Sequence, residues 1–168
     1  QEKEIHKTSK SFSTSDLETN VDIQIDDNKD CPRYAARVIR GVKVGPSPNW
    51  LKHKIESIGQ KSINNIVDAA NYILFDLGHP MHTFDLNQIN DSRIIVKRPS
   101  EQKKILCLDG VERTVTKDHL LICDSEQPIA IAGIIGLEGT SVKNDTTDIL
   151  IESAYFNPIT IRKGAKLL

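Results

Sequence analysis

The order of hydrophobic patterns along this chain restricts its possible folds more than any other feature. Apolar residues recur at three- and four-residue steps over residues 48–58 and 62–77, which predicts two helices, and a third pattern begins near residue 159. Segments rich in β-branched residues predict strands, and they are Tyr34–Val44, Arg93–Lys97, Lys104–Leu108, Glu112–Thr116, His119–Cys123, Ile129–Ile135 and Ile149–Glu152. Helices and strands grouped in separate runs predict an α+β fold with mixed or antiparallel sheets layered with helices.

Turn and cap residues predict where the two early helices begin and end. Ser47 followed by Pro48 is typical of an N-cap with proline at the first helical position. Gly78 and Pro80 are expected to end the second helix. The apolar face of that helix is wide, so we expect the helix to be largely buried, with the Asn71 amide at the border of the apolar face.

The composition of the first 30 residues differs from that of the remaining chain. Residues 1–30 are rich in Ser, Thr, Asp, Glu and Lys, which predicts a polar linker, and Val21–Ile25 could add one edge strand. Residues 31–168 are then one folded domain. The helical pattern at Ile159–Leu168 is still running at the last residue, so we expect a fragment truncated at its C-terminus.

Charge, hydropathy and cysteine content exclude several classes of protein. A formal net charge of −1 argues against extended non-specific binding to a phosphate backbone. No apolar run approaches the roughly 18 residues of a membrane span, so we expect a soluble, cytoplasmic protein. Cys31, Cys107 and Cys123 lack C-x-x-C spacing, which favours buried thiols over a disulfide framework or a zinc site.

Two histidines suggest one metal-dependent alternative. His79 and His82 have H-x-x-H spacing and Asp85 follows them, as in some metallohydrolases. Pro80 argues against this alternative, because it interrupts the helix that would place both imidazoles on one face. We therefore expect no metal ion, and metal analysis of the purified protein would test this.

A carboxylate and a set of glycines are placed unusually in the late strands. Glu152 interrupts an apolar strand, and a glutamate is rarely buried without a partner. It could face outward, pair internally with a lysine or arginine, or bind a ligand. Gly133, Gly136 and Gly139 are spaced three apart, which fits either tight packing or close approach of the backbone to a ligand.

Taken together, several ordered motifs resemble the bacterial phenylalanyl-tRNA synthetase β subunit. They are Cys31–Tyr34, Ile63–Tyr72, Leu77–Asp85, Leu108–Gly110, Ile131–Gly136 and Ile151–Ala154. The resemblance covers residues 31–168 and implies the central editing domain of that subunit, with β/β/α layers. In that family the domain hydrolyses tyrosine mistakenly attached to tRNA(Phe). The resemblance also implies an α2β2 assembly with the synthetase α subunit, ATP and Mg in the full synthetase, and no cofactor in this domain.

The resemblance assigns a role to individual residues. Glu152 occupies the family position that accepts the para-hydroxyl of tyrosine, which would explain a carboxylate within an apolar strand. His82 and Asn71 match positions that line the same pocket, and His82 would position the water or the substrate. Gly133 and Gly136 match glycines whose missing side chains leave room for the aromatic ring.

Departures from the family pattern keep a second interpretation open. Lys61, a further substrate-binding candidate, stands where the family commonly has arginine, which is a planar bidentate donor. Ala70 replaces a threonine, Leu137 a glycine and His79 a glutamine. The alternative is therefore a non-catalytic RNA-contacting or scaffolding module that has kept the fold and lost editing.

Overall fold

The computed structural model describes residues 21–168, so the greater part of the predicted polar linker lies outside the described residues. Within this range the α+β prediction is confirmed. The helices are α1 (Asn49–Ser57), α2 (Asn65–Leu77) and α3 (Pro158–Ala165). The strands are β1 (Asp22–Ile25), β2 (Arg33–Ile39), β3 (His82–Asp85), β4 (Arg93–Lys97), β5 (Lys103–Leu106), β6 (Glu112–Val115), β7 (Leu121–Cys123), β8 (Pro128–Ile131), β9 (Ile135–Gly136) and β10 (Ile149–Tyr155).

The strands form three sheets. A five-stranded mixed sheet has the order β1-β4-β7-β8-β9, in which only the β1–β4 pair is parallel. A three-stranded antiparallel sheet has the order β2-β10-β3. The strands β5 and β6 form a separate hairpin, whose turn contains the predicted Asp109-Gly110 pair with Gly110 at a φ of 75°.

The main hydrophobic core lies between the two larger sheets. Alternate residues of β4 and β10, such as Val96 and Leu150, meet there and are fully buried. The intervening β4 residue Ile95 points to a second core, where the five-stranded sheet packs on the β5–β6 hairpin. Burial on both faces explains why β4 reads as a continuous apolar run instead of an alternating one.

The connection between α1 and α2 is organised by one buried carboxylate. Asp68 is fully buried and accepts hydrogen bonds from the Ser47 and Ser62 hydroxyls, each at 2.5 Å, and from the Ile63 amide at 2.9 Å. The predicted role of Ser47 as N-cap of α1 is therefore wrong, because its hydroxyl is engaged by Asp68 and Pro48 takes the cap position.

The second helix is less buried than its apolar pattern predicts. Its N-cap is Asn64, whose side chain accepts from the Ile66 and Val67 amides. Only Asp68 is fully buried within this helix, while Phe75 and Leu77 are about half exposed. The expectation of a largely buried helix is wrong for the described residues, because the apolar face is only partly covered by them.

Several predicted strands are shorter than the sequence suggested, and two of them differ most. The β2 strand ends at Ile39 rather than at Val44. The predicted strand Ile129–Ile135 is divided into β8 and β9 by a turn in which Gly133 has a φ of 65°. No helix within residues 21–168 is both long enough and apolar enough to cross a membrane.

Candidate functional site

A pocket of about 290 Å³ lies where the three-stranded sheet, the β8–β9 turn and α2 meet. Strands β3 and β10 contribute its polar side chains, and α2 contributes Leu74. The lining residues are Leu74, Pro80, Met81, His82, Ile122, Ala130, Ile131, Gly133, Ile134, Ile135, Gly136, Glu152, Ala154 and Phe156. The walls are therefore mostly apolar, with one carboxyl group and one imidazole among them, which is typical of a small-molecule site.

Two other concave regions lack the combination of a carboxyl group and an imidazole that this pocket has. One lies beside the β5–β6 hairpin and the other between α3 and Arg98, where the lining side chains include Lys163 and Lys166. The pocket between β3 and β10 contains two groups whose pKa values are shifted by burial, Glu152 and His82, and strongly shifted pKa values mark functional sites more often than other surfaces.

Glu152 is the buried carboxyl group of this pocket. It alternates with Leu150 and Ala154 on the inward face of β10 and is only 6% exposed. The outward-facing alternative is therefore wrong. Burial raises the pKa of Glu152 to about 7, although a hydrogen bond from the Tyr34 hydroxyl to its Oε2 atom, 3.1 Å long, acts in the opposite direction. Both the neutral and the ionised form of the carboxyl group are therefore accessible near neutral pH.

His82 faces Glu152 across the β3–β10 pair, where the two residues are register partners. Its ring packs edge-on against Phe84, with 4.5 Å between the ring centroids. Burial lowers the pKa of His82 to about 4, so the imidazole is neutral at pH 7. Neither ring nitrogen forms a hydrogen bond within residues 21–168, which leaves one donor and one acceptor for a ligand or water in the pocket.

The two pocket glycines have different physical roles. Gly136 lies against the imidazole, and a Cβ atom there would be 2.7 Å from both Cε1 and Nε2 of His82 and 2.8 Å from Cδ1 of Leu108. Gly133 has a positive φ, and a Cβ atom there would be 3.3 Å from Ile161 of α3. Both glycines line the pocket, but the space left by their missing side chains is next to protein atoms. Their role in leaving room for an aromatic ring stays a prediction.

The structure brings together four of the six residues predicted to form the site. His82, Glu152 and the two glycines line one pocket, whereas Asn71 and Lys61 are absent from its lining. Asn71 is half-buried on α2, three residues before Leu74 and therefore on the same side of that helix. Lys61 is exposed in the segment before α2. The substrate-binding roles of these two residues stay predictions.

The side chains of the H-x-x-H motif point to different partners. His79 Nε2 lies 2.9 Å from the Ser153 hydroxyl, on the face of β10 opposite to Glu152. Asp85 accepts a hydrogen bond from the Thr146 hydroxyl at 2.6 Å. No group of three or more His, Cys, Asp or Glu side chains within residues 21–168 is arranged to hold a metal ion.

Two of the residues predicted to depart from the family pattern, Leu137 and Ala70, do not line the pocket. Leu137 is 7% exposed and packs in the second core beside the β5–β6 hairpin. Ala70 is half-buried on α2 and is absent from the pocket lining. Neither substitution places a side chain against Glu152 or His82.

Sequence reasoning missed Tyr34 as a member of the site. Tyr34 lies opposite Ala154 in the β2–β10 pairing, while Glu152 lies opposite Ala36. The two side chains are therefore diagonal neighbours on one face of the sheet. The one available signal was a tyrosine within the Cys31–Tyr34 motif, which gives no indication of its partner.

Comparison with known proteins gives consistent matches. The model of the B3/4 domain family matches residues 30–168. Over 146 residues the chain is 52% identical to the phenylalanine–tRNA ligase β subunit of Syntrophotalea carbinolica, a match that covers 87% of this chain and 18% of that protein. The corresponding subunit of Thermotoga maritima is 42% identical over 164 residues, with 98% and 21% of the two chains covered. The chain thus spans about a fifth of the length of these relatives.

A solved structure shares the fold. It is an N-terminal fragment of the phenylalanyl-tRNA synthetase β subunit from Pyrococcus horikoshii, with a TM-score of 0.60 and 16% sequence identity. The match covers 89% of this chain and 49% of that fragment. At this low identity the similarity establishes the fold.

Proposed function

The chain belongs to the B3/4 domain family and corresponds to part of a phenylalanine–tRNA ligase β subunit, and we propose that it is the proofreading domain of that subunit. In this proposal the domain hydrolyses tyrosyl-tRNA(Phe) after the wrong amino acid has been attached. The observation that carries the proposal is Glu152, a buried carboxyl group in a mostly apolar pocket. It distinguishes tyrosine from phenylalanine at the one atom by which the two amino acids differ.

Selection of tyrosine follows from the chemistry of the pocket lining. An apolar pocket rejects an isostere with one extra hydroxyl by only about 10²-fold, whereas a site that hydrogen-bonds a hydroxyl rejects the analogue without it by about 10⁴ to 10⁵. Apolar residues such as Ile131 and Phe156 would contact the ring. The Glu152 carboxylate would accept the hydrogen bond from the para-hydroxyl. Phenylalanine has no hydroxyl to donate, so the carboxylate would keep only the hydrogen bond from Tyr34 and the phenylalanyl ester would bind less well.

The reaction is hydrolysis of one ester bond. The oxygen of a water molecule attacks the tyrosyl carbonyl carbon, the bond to the terminal ribose oxygen breaks, and that oxygen takes a proton. The products are free tyrosine and uncharged tRNA. Neutral water is a poor nucleophile, so most of the catalysis must come from positioning and from hydrogen bonds to the developing oxyanion.

His82 is the residue suited to this positioning role. A neutral imidazole has one donor and one acceptor nitrogen, so it can orient a water molecule or donate to the oxyanion. A pKa of about 4 makes His82 a weak base at pH 7. Its contribution is therefore orientation of the water or substrate, without a covalent intermediate.

The remaining parts of the proposal concern the complete assembly. The full β subunit would pair with the synthetase α subunit in an α2β2 assembly in the cytoplasm, and the 3′ end of tRNA(Phe) would reach this pocket. Phenylalanine attachment, with ATP and magnesium, would take place elsewhere in that assembly. Lys61 and Asn71 would contact the substrate outside the ring-binding part of the pocket.

The test is deacylation of tyrosyl-tRNA(Phe) by the complete synthetase. Three single-substitution variants, Glu152→Ala, His82→Ala and the control Glu126→Ala, are compared with the native protein. Glu126 is an exposed glutamate after β7 and lies outside the pocket. Loss of deacylation in the first two variants alone, with unchanged phenylalanine charging, supports the proposal. If the native assembly does not deacylate tyrosyl-tRNA(Phe), the result contradicts the proposal and favours the non-catalytic scaffolding alternative.

A further inference from the structure

The hydrogen bond between Tyr34 and Glu152 suggests a residue that determines the specificity of the pocket. Both residues are buried, at 9% and 6% exposure, and the Tyr34 hydroxyl donates to Oε2 over 3.1 Å. Glu152 lines the pocket but Tyr34 does not. Tyr34 therefore contacts the carboxyl group from the protein side, away from the position of a ligand.

The two carboxyl oxygens are consequently not equivalent. Oε2 is occupied by Tyr34, whereas Oε1 forms no hydrogen bond within the described residues. An ionised carboxylate offers about four acceptor positions, so the one that faces a ligand depends on how the group is held. A fixed carboxylate loses less rotational freedom when a ligand binds.

We infer that Tyr34 is the positioning residue that holds the Glu152 carboxylate and presents Oε1 as the acceptor for the substrate hydroxyl. This inference rests on the proposed function for the identity of the substrate. The hydrogen bond itself, and its effect on ionisation of the carboxyl group, do not depend on that function.

The hydrogen bond from Tyr34 also affects the pH range over which the Glu152 carboxylate is ionised and can act as an acceptor. Burial raises the pKa of Glu152, and donation from Tyr34 lowers it by stabilising the charged form. Burial and the nearby carboxylate also raise the pKa of Tyr34, so its hydroxyl keeps its proton and remains a donor. Without this donor, the carboxyl group would ionise at a higher pH.

The informative variant is Tyr34→Phe in the complete synthetase, because it removes one oxygen and keeps the ring that packs in the core. We expect kcat/KM for deacylation of tyrosyl-tRNA to fall roughly tenfold at neutral pH, as for loss of one hydrogen bond to a charged group. We also expect the midpoint of its pH profile to rise by about one unit. Tyr155→Phe is the matched control, since Tyr155 is exposed at the end of β10.

A second readout keeps this inference separate from the proposed function. Infrared difference spectra between the native protein and Glu152→Gln report protonation of the Glu152 carboxyl group without any substrate. The corresponding spectra in the Tyr34→Phe background should show a higher titration midpoint. An unchanged midpoint would overturn the role of Tyr34, whereas a native protein that does not deacylate tyrosyl-tRNA would overturn the proposed function instead.

Discussion

Gly136 and His82 are packed so closely that a methyl group on Gly136 would lie 2.7 Å from the imidazole. The ring cannot move away freely, because its other contacts include Phe84. The missing side chain of Gly136 therefore leaves the space that the His82 ring occupies in the pocket. This relationship connects the spacing of the late glycines to the proposed chemistry.

The Gly136→Ala substitution should displace the His82 ring and impair deacylation of tyrosyl-tRNA. Overpacking of this kind costs about 1–3 kcal/mol of stability, so the chain should still fold. Gly139→Ala is the matched control, because a Cβ atom at Gly139 has open space around it. Deacylation and urea unfolding are measured for both variants. Native deacylation by Gly136→Ala would show that the position of His82 is unimportant.

Burial of Glu152 should make stability depend on pH. Its folded-state pKa of about 7 lies above the ordinary value of 4.5, so the folded state binds the proton more tightly. Proton binding to Glu152 therefore stabilises the folded state by about 3 kcal/mol below pH 4.5. This stabilisation is lost as the pH rises to about 7. The Glu152→Gln side chain cannot ionise, so the variant does not lose this stabilisation. Its free energy of unfolding relative to that of the native chain should therefore increase between about pH 5 and pH 8.

Urea unfolding followed by circular dichroism at the two pH values measures this difference. Glu126→Gln is the control, because its exposed side chain should give the same small difference at both values. A Glu152→Gln difference that does not change with pH would mean that the carboxyl group titrates normally.

The imidazole of His82 should remain neutral in mildly acidic solution. Burial lowers its pKa to about 4 from the ordinary value of 6.5. In NMR spectra of the ring nitrogens, we expect no titration of His82 between about pH 5.5 and pH 8, with His82→Gln used for assignment. A midpoint near 6.5 would instead identify His82 as an ordinary base available for proton transfer.

Asp68 should be essential for the stability of the α1–α2 pair. Asp68→Ala leaves the Ser47 and Ser62 hydroxyls without their acceptor, at a cost of about 3 kcal/mol. Trp50 contacts Tyr72 edge-on and reports this region through its fluorescence during urea unfolding. The control is Asp76→Ala on the exposed side of α2. Equal stability of the two variants would contradict a structural role for the buried carboxylate.

The sequence predicted the type of most elements but not their exact boundaries, and strand β3 (His82–Asp85) was not predicted. Alternating and continuous apolar runs identified strands such as β4, because side-chain periodicity follows directly from strand geometry. Ser47 was misassigned since a cap pattern is local, whereas the acceptor of its hydroxyl, Asp68, lies 21 residues away. Burial of α2 was overestimated because an apolar face does not show whether its partner lies within the same chain.

The site was predicted in part, for a similar reason. Glu152 was conspicuous because a carboxylate in an apolar strand violates the pattern around it. Tyr34 was not identified because it is 118 residues away and meets Glu152 only through the register of β2 and β10. Gly136 lines the pocket, and its contact with His82 depends on tertiary packing that spacing does not encode.

The preference between two esters tests the central claim most directly. Values of kcat/KM for deacylation of tyrosyl-tRNA(Phe) and phenylalanyl-tRNA(Phe) are measured with the complete synthetase and its Glu152→Ala variant. Our account predicts a strong native preference for the tyrosyl ester that falls by about 100-fold or more in the variant. An equal preference in both proteins would contradict recognition of the tyrosine hydroxyl by Glu152.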